Sequence, residues 1–393
     1  MKYLYSSPNL RIIDVLKALL LTGNKAEKGI KHHFSELTGK KYILITNSCR
    51  TALFLAYKAI GKTGAVITSP LTCKVAIDPI VESGNKPVFA DIRTSDLNID
   101  PDDIAHRINN ETLAIQAIHL GGIPCDMEKI NKIAQKNKLW VIEDCAQSLG
   151  ALNNDEYAGS FGDIACFSLI KNAYGIGGGI LTTDSYSVYN EALKASQGFL
   201  KTPLKLAIFR TIRNIIATKR RYKIGNLLFK TLMKLKGEKR SYNSIDGQLF
   251  QISGMEKRVA AQQIKRYPEL HQKRKKIGKA YYDLLSSQGI LMNKYYNSEN
   301  SSFTKLIVYN PVISSKKYLQ KLNDNGIEAM HLEDKHGSPY QDRLIQSNQS
   351  IGERLVNYDK AHDCLISLPI SETFKKQQID YISHVLKLLL YKD

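Results

Sequence analysis

A chain of 393 residues with 43% apolar content can bury two hydrophobic cores, which excludes a generally disordered protein. Its 56 Lys and Arg against 37 Asp and Glu give a formal charge of +19, but 13 basic residues and one acidic residue, Glu238, fall between Lys201 and Arg240. Those 40 residues therefore hold +12, and the rest of the chain has an ordinary balance.

In chain order, the opening NLRIIDVLKALLL is interrupted at helical spacing by Arg11, Asp14 and Lys17, so it is not read as a signal sequence. No run reaches the roughly 18 apolar residues needed to span a bilayer. Six cysteines without a C-x-x-C spacing fit a reducing compartment better than a disulfide framework or zinc site. A cytoplasmic protein without a bound metal is expected.

From residue 40, apolar runs recur with helical patterns between them: 41–46, 65–69, 86–92, 113–120, 139–144, 164–170 and 179–183. Several are apolar throughout, as strands are when helices cover both faces of a largely parallel sheet. The fold class is α/β. Ligands of such sheets bind outside the carboxyl ends of the strands. Those ends carry Asn47, Ser48, Thr72, Asp91, His119, Asp144, Gln147, Ser168 and Lys171.

Two of these suggest a reaction. Lys171 lies between an apolar run and a glycine cluster, and Asp144 ends the run LWVIED. A lysine amine can form a Schiff base with an aldehyde cofactor, and an acid that keeps a pyridine nitrogen protonated makes that ring an electron sink. The pair matches pyridoxal phosphate chemistry. Each residue alone has a plainer reading, the lysine as a solvated loop residue and the aspartate as a helix cap or turn former.

The stretches TNSCRTALFLAYKAIG, PVFADIRTSDLNIDPDDI, HLGGIPCDM, VIEDCAQSLGA and GSFGDIACFSLIKN together resemble the DegT/DnrJ/EryC1/StrS family of sugar aminotransferases. The resemblance resumes in MEKRVAAQQIKRYPELHQKRKKIGKAYYDLL and LISLPISETFKKQQIDYI and omits residues 198–250. It implies the aspartate aminotransferase fold (fold type I), pyridoxal 5'-phosphate, a keto-sugar acceptor, glutamate as amino donor and a homodimer. Lys171 is then the residue joined to the cofactor and the base that moves the proton. Asp144 meets the pyridinium nitrogen, and Gln147 lies near the phenolic oxygen. Ser168 and the turn Ser48-Cys49-Arg50-Thr51 lie at the phosphate. That turn opens a helical run whose free N–H groups favour an anion. Arg50 reads equally as a phosphate partner or a surface arginine. His331 falls where relatives place a histidine near the substrate.

Three departures mark a divergent branch. Cys73 stands where an aromatic residue usually stacks on the cofactor ring, the loop before Lys171 is two residues short, and Gly177-Gly178-Gly179 replaces G-[ED]-G-G. The partner's Asn-x-Arg is replaced by Gln251-Ile252-Ser253-Gly254. The division expected is 1–197 for the large cofactor domain, 198–250 for a basic insertion and 251–393 for a small domain. The insertion reads as two amphipathic helices, with Ile208, Ile212, Ile215 and Ile216 on one face of 203–218 and Ile224, Leu228, Leu232 and Leu235 aligned in 223–236. Attachment of 201–240 to an anionic membrane and simple packing on the large domain stand as equal readings. Specific nucleic-acid binding lacks any supporting motif. The expected activity is transamination of a keto-sugar in surface-polysaccharide or lipopolysaccharide-type biosynthesis. A noncatalytic DNA-associated regulator and a cofactor-dependent sugar dehydratase are the alternatives, and Lys171 argues against the dehydratase.

Overall fold

The seven apolar runs form the seven strands of one sheet in a computed structural model, which describes residues 9–173, 175–216, 249–290, 300–311, 315–331 and 355–391. The strands are β1 (Tyr42–Thr46), β2 (Ala65–Thr68), β3 (Lys86–Phe89), β4 (Thr112–Ile118), β5 (Trp140–Cys145), β6 (Ile164–Ser168) and β7 (Gly179–Thr183). Their spatial order is β1-β7-β6-β5-β4-β2-β3. Only β7 runs against its neighbours; the ladders among β6, β5, β4, β2 and β3 are all parallel.

Side chains alternate across this sheet, so consecutive residues feed different cores. Leu44, Val66, Ile142, Ile164 and Leu181 pack under α3 (Cys49–Ala59), α4 (Lys74–Glu82) and α7 (Tyr186–Gln197). On the other face, Ile43, Ala165, Phe167 and Ile180 pack against α2 (Gly23–Thr38). Further along that face, Ile67, Ile115 and Val141 meet α5 (Pro101–Arg107) and α6 (Met127–Asn137). Burial on both sides accounts for the nearly unbroken apolar runs.

The 34-residue helix α9 (Gly254–Ser287) starts with a capping box in which the Ser253 hydroxyl accepts the Glu256 N–H and the Glu256 carboxylate accepts the Ser253 N–H. Its first half supplies Ala260, Ala261, Ile264 and Tyr267 to the core around α2. Its second half supplies Tyr281 and Leu285 to a second core. That core also contains β8 (Leu306–Tyr309) and β9 (Leu365–Leu368), paired antiparallel, with α10 (Ser315–Asp324) and α12 (Lys376–Tyr391). The short α11 (Val356–Ala361) lies between them in sequence. One helix thus fixes both cores to each other.

The basic segment begins with α8 (Leu204–Ile216), and part of its apolar stripe faces solvent. The face turned inward carries Ala207, Thr211 and Asn214, while Leu204, Ile208 and Ile212 are 62%, 42% and 50% exposed. Arg210 fixes this rotation by reaching the buried Glu256 carboxylate of α9 at 2.6 Å. Ile215 of the same stripe packs toward Val259 of α9 and Ala18 of α1 (Ile12–Leu19). The helical pattern expected over 223–236 lies outside the described residues.

Candidate active site

Strands β4, β5 and β6 run parallel, so their carboxyl ends deliver polar groups to one edge. Asp144 in β5 is 4% exposed. Its Oδ1 accepts the Ala146 N–H at 3.0 Å and lies 3.8 Å from the Cys49 thiol, so Oδ2 is left for a further donor. Burial pushes this carboxyl above its ordinary range; the nearby Lys171 ammonium, the Ala146 N–H, His119 and the Cys49 thiol pull the other way. Lys171 follows β6 in an exposed turn. Its charge reaches both Asp144 and Cys49, so the two residues singled out from the sequence share one site.

The phosphate candidates meet around Gly179. This glycine pairs with Thr46 in β1 and with Ser168 at the end of β6. A Cβ added there would lie 2.2 Å from the Ser48 carbonyl carbon and 2.4 Å from the Cys49 nitrogen, so only glycine lets the turn approach the sheet this closely. Ser48 caps α3 by accepting the Thr51 N–H, and the Thr51 hydroxyl donates to Asn47 Oδ1 at 2.5 Å. The first N–H groups of α3 therefore point past Ser48 beside the buried Ser168. Gly178, at φ 114°, donates its N–H to the Asn47 carbonyl at 2.8 Å and closes the loop onto the same turn.

A strand of contacts from the second core completes the site. The Gln147 side chain accepts the Gly121 N–H at 3.1 Å, and its backbone carbonyl accepts the Ser302 hydroxyl at 2.8 Å. The Thr304 hydroxyl lies 2.5 Å from both that carbonyl and Asn172 Oδ1, next to Lys171. Buried Arg274 of α9 holds Asn172 from the other side, donating to its carbonyl oxygen at 3.3 Å. Lys305 follows Thr304 and donates its backbone N–H to the Gly121 carbonyl at 3.2 Å. Burial, with Lys171 second, depresses the Lys305 amine to about 8, against a smaller opposing effect of Cys73. The sequence reading missed Asn172, Arg274, Thr304 and Lys305, which come to the edge from more than one part of the chain.

Other candidates serve the scaffold. Arg50 is buried and binds Asp78 at 3.2 Å and Glu82 at 2.7 Å on α4, so its guanidinium is neither a surface group nor turned to the phosphate candidates. Asp91 accepts the Asn357 and Tyr358 N–H groups at the start of α11, which ties that helix to the end of β3. His331 Nε2 donates to the His362 carbonyl at 2.7 Å, an anchorage within the second core. Cys73 is half-buried at the start of α4, near Lys305. His119, Glu143 and Cys145 have a spacing that could hold a metal. His119 Nδ1 already accepts the Cys125 N–H, so Nε2 carries the proton and donates to Glu143 at 3.0 Å. Glu143 also accepts three backbone N–H groups, from Gly159, Phe161 and Gly162. With these lone pairs in use, the trio braces the strand that bears Asp144.

A family model described as the DegT/DnrJ/EryC1/StrS aminotransferase family matches residues 7–387. The chain belongs to this family. Among curated members, it is similar to the "Spore coat polysaccharide biosynthesis protein SpsC" of Bacillus subtilis (strain 168), 38% identical over 177 residues, which are 44% of this chain and 46% of that protein. It is also similar to the "GDP-perosamine synthase" of Escherichia coli O157:H7, 35% identical over 176 residues, or 44% and 48% of the two chains. The matched part spans just under half the length of these relatives. Among solved structures, "Helicobacter pylori PseC, aminotransferase involved in the biosynthesis of pseudoaminic acid" superposes over 100% of both chains with a TM-score of 0.76 at 22% identity. That likeness establishes the fold of the family member described here. Among the described residues, no helix is long and apolar enough to cross a membrane.

Proposed function

We propose that this protein is a pyridoxal-phosphate-dependent aminotransferase that moves an amino group from an amino acid, with glutamate the expected donor, to a nucleotide-linked keto-sugar in surface-polysaccharide biosynthesis. The observation that carries the reading is the pairing of Lys171 with a buried Asp144 whose Oδ2 is left for a donor. The residues suit the cofactor. Asp144 can accept a pyridinium N–H, and Ser48, Ser168 and the N–H groups at the start of α3 can hold a phosphate. Gln147 flanks the same strand end. When bound, the cofactor supplies an aldehyde carbon and an electron-withdrawing ring.

The protein's own part is then positioning and proton transfer. Asp144 holds the ring-nitrogen proton, and its buried setting strengthens that attraction. Lys171, in an exposed turn, would be freed when the donor's own amine takes its place on the cofactor, and its free amine would then accept the proton from the donor's α-carbon. Asn172, pinned by Arg274 and Thr304, keeps the lysine turn in place. Borohydride reduction of purified protein followed by peptide mapping should place a cofactor adduct on Lys171. An adduct on another lysine, or none, would overturn the assignment; absence of cofactor favours the regulatory alternative.

A second reading concerns location in the cell. The protein acts in the cytoplasm as a homodimer, and the 201–240 segment rests on the anionic inner membrane surface. Exposed Leu204, Ile208 and Ile212 on α8 support this, as do exposed Ile12, Leu16 and Leu19 on α1, which shares a small core with α8. Basic residues beside anionic lipid contribute on the order of 1 kcal/mol each. Sedimentation with anionic liposomes at low salt, and its loss in Ile208→Glu, tests the attachment. If wild-type protein stays in the supernatant while Ile208→Glu breaks a dimer, the apolar face is a subunit contact instead.

A further inference from the structure

The turn that opens α3 is held partly by its own residues and partly from another helix. Ser48 accepts the Thr51 N–H through its hydroxyl and the Ala52 N–H through its carbonyl, and the Thr51 hydroxyl donates to Asn47. The N–H groups left for an anion are therefore those of Cys49 and Arg50, the first two residues of α3. All these bonds lie within residues 47–52, so they fix where the helix starts and not how it is tilted against its neighbours. The tilt is governed by the Arg50 side chain, which reaches α4 and is 5% exposed. One terminal nitrogen of its guanidinium meets Asp78 at 3.2 Å and the other meets Glu82 at 2.7 Å. These carboxylates stand four residues apart on one face of α4. A planar guanidinium held through both nitrogens has a single orientation, which a lysine ammonium would not.

One residue thus carries an open N–H on its backbone and an ion-paired guanidinium on its side chain, so α4 is tied directly to a phosphate donor. We propose that Arg50 is a positioning residue for the cofactor phosphate, its clamp on Asp78 and Glu82 aiming the Cys49 and Arg50 N–H groups. This rests on the aminotransferase reading above and names the side chain that orients the phosphate donors. Charge alone does not account for the arrangement. One cation with two ionised carboxylates carries a net −1, so the trio favours a phosphate only through the geometry that it imposes. Burial lifts the Glu82 carboxyl to about 7, against the pull of Arg50, so it is ionised at pH 8. The two helices also share Leu53, Ala56, Ile77 and Ile80 in one core, which keeps them packed when the clamp is removed.

The test compares wild type, Arg50→Met and a double variant, Asp78→Asn with Glu82→Gln, at about pH 8. Equilibrium dialysis measures their affinity for pyridoxal phosphate and for pyridoxal, which lacks the phosphate. Misaimed donors should raise the pyridoxal phosphate dissociation constant about 10- to 100-fold in Arg50→Met, the range for one charge-assisted hydrogen bond, and leave pyridoxal within about twofold of wild type. The double variant keeps the arginine and removes two negative charges. A Coulombic role for Arg50 predicts tighter phosphate binding there, whereas positioning predicts a loss like that of Arg50→Met. The phosphorus NMR resonance of the bound cofactor reads the surroundings of the phosphate without turnover, and in both variants it should move toward that of the free cofactor. Circular dichroism confirms folding; if Arg50→Met does not fold, the double variant decides the matter. Unchanged pyridoxal phosphate affinity in a folded variant, equal losses for pyridoxal and its phosphate, or tighter binding by the double variant would each overturn the proposal. The borohydride adduct on Lys171 is scored first in wild-type protein, so its absence reports failure of the aminotransferase reading rather than of this one.

Discussion

Gly179→Ala is the sharpest probe of the phosphate cradle because its effect follows from space alone. The new Cβ would lie 2.2 and 2.4 Å from the Ser48 carbonyl carbon and the Cys49 nitrogen, where ordinary contact begins at 3.4 Å. Both neighbours are backbone, so the turn must retreat by about 1 Å from β7. That displacement carries the first N–H groups of α3 with it. If two charge-assisted hydrogen bonds to phosphate are lost, at roughly 1.5–3 kcal/mol each, the loss is about 3–6 kcal/mol. The dissociation constant for pyridoxal phosphate should then rise by a factor on the order of 10²–10⁴. Equilibrium dialysis against the cofactor measures this, with far-ultraviolet circular dichroism to confirm folding. Gly198→Ala is the control, since nothing lies within 4 Å of a Cβ there. Wild-type affinity in a folded Gly179→Ala protein would refute the placement of the phosphate at this turn.

Three other outcomes are expected. Asp144→Asn should keep the cofactor but lower turnover by a factor on the order of 10²–10⁴, because a neutral amide cannot hold the pyridinium proton; near-normal single-turnover rates would make Asp144 a structural residue. Arg210→Met strips a buried carboxylate of its cation, with a cost of about 2 kcal/mol, between the values for exposed and buried pairs. Urea unfolding of Arg210→Met, Glu256→Gln and the double variant should give a coupling of at least about 1 kcal/mol, and additive losses would show that α8 is not anchored there. His271 has its pKa lowered to about 4 by burial, then by Arg274 and Lys275. Its unfolded form binds the proton more tightly, so this contribution is intact above the ordinary value of 6.5 and is lost as pH falls from there toward 4, by about 3 kcal/mol. His271→Gln should flatten the melting temperature across that window, and an unchanged acid slope would locate the sensitivity elsewhere.

What the sequence made legible is what local pattern controls. Seven apolar runs became seven strands because each is buried on both faces, and Asp144 and Lys171 were recognisable because a strand end fixes where a short polar side chain goes. Residues whose partners are distant in the chain were not legible. Arg50 gave no sign that Asp78 and Glu82 would enclose it. Lys305 reads as an ordinary residue before a strand, and its place depends on bonds to Gly121 and, through Thr304, to Asn172. The rotation of α8, left open by the sequence, was not legible for a related reason. Apolar side chains at 204, 208 and 212 look like a core face, but one arginine reaching a buried carboxylate and a small alanine at 207 turned the other side inward.

The charges at the site make these parts interdependent. Burial favours the neutral form of Asp144, while the Lys171 charge and the positive end of α3 oppose it. Adding a phosphate would push the Asp144 carboxyl further toward protonation unless a positive group met it directly. A protonated ring nitrogen at Oδ2 is such a group, so cofactor binding and ionisation of Asp144 support each other. On this argument Asp144→Asn should act on the chemical step, lowering the limiting rate while leaving half-saturation for the donor near wild type.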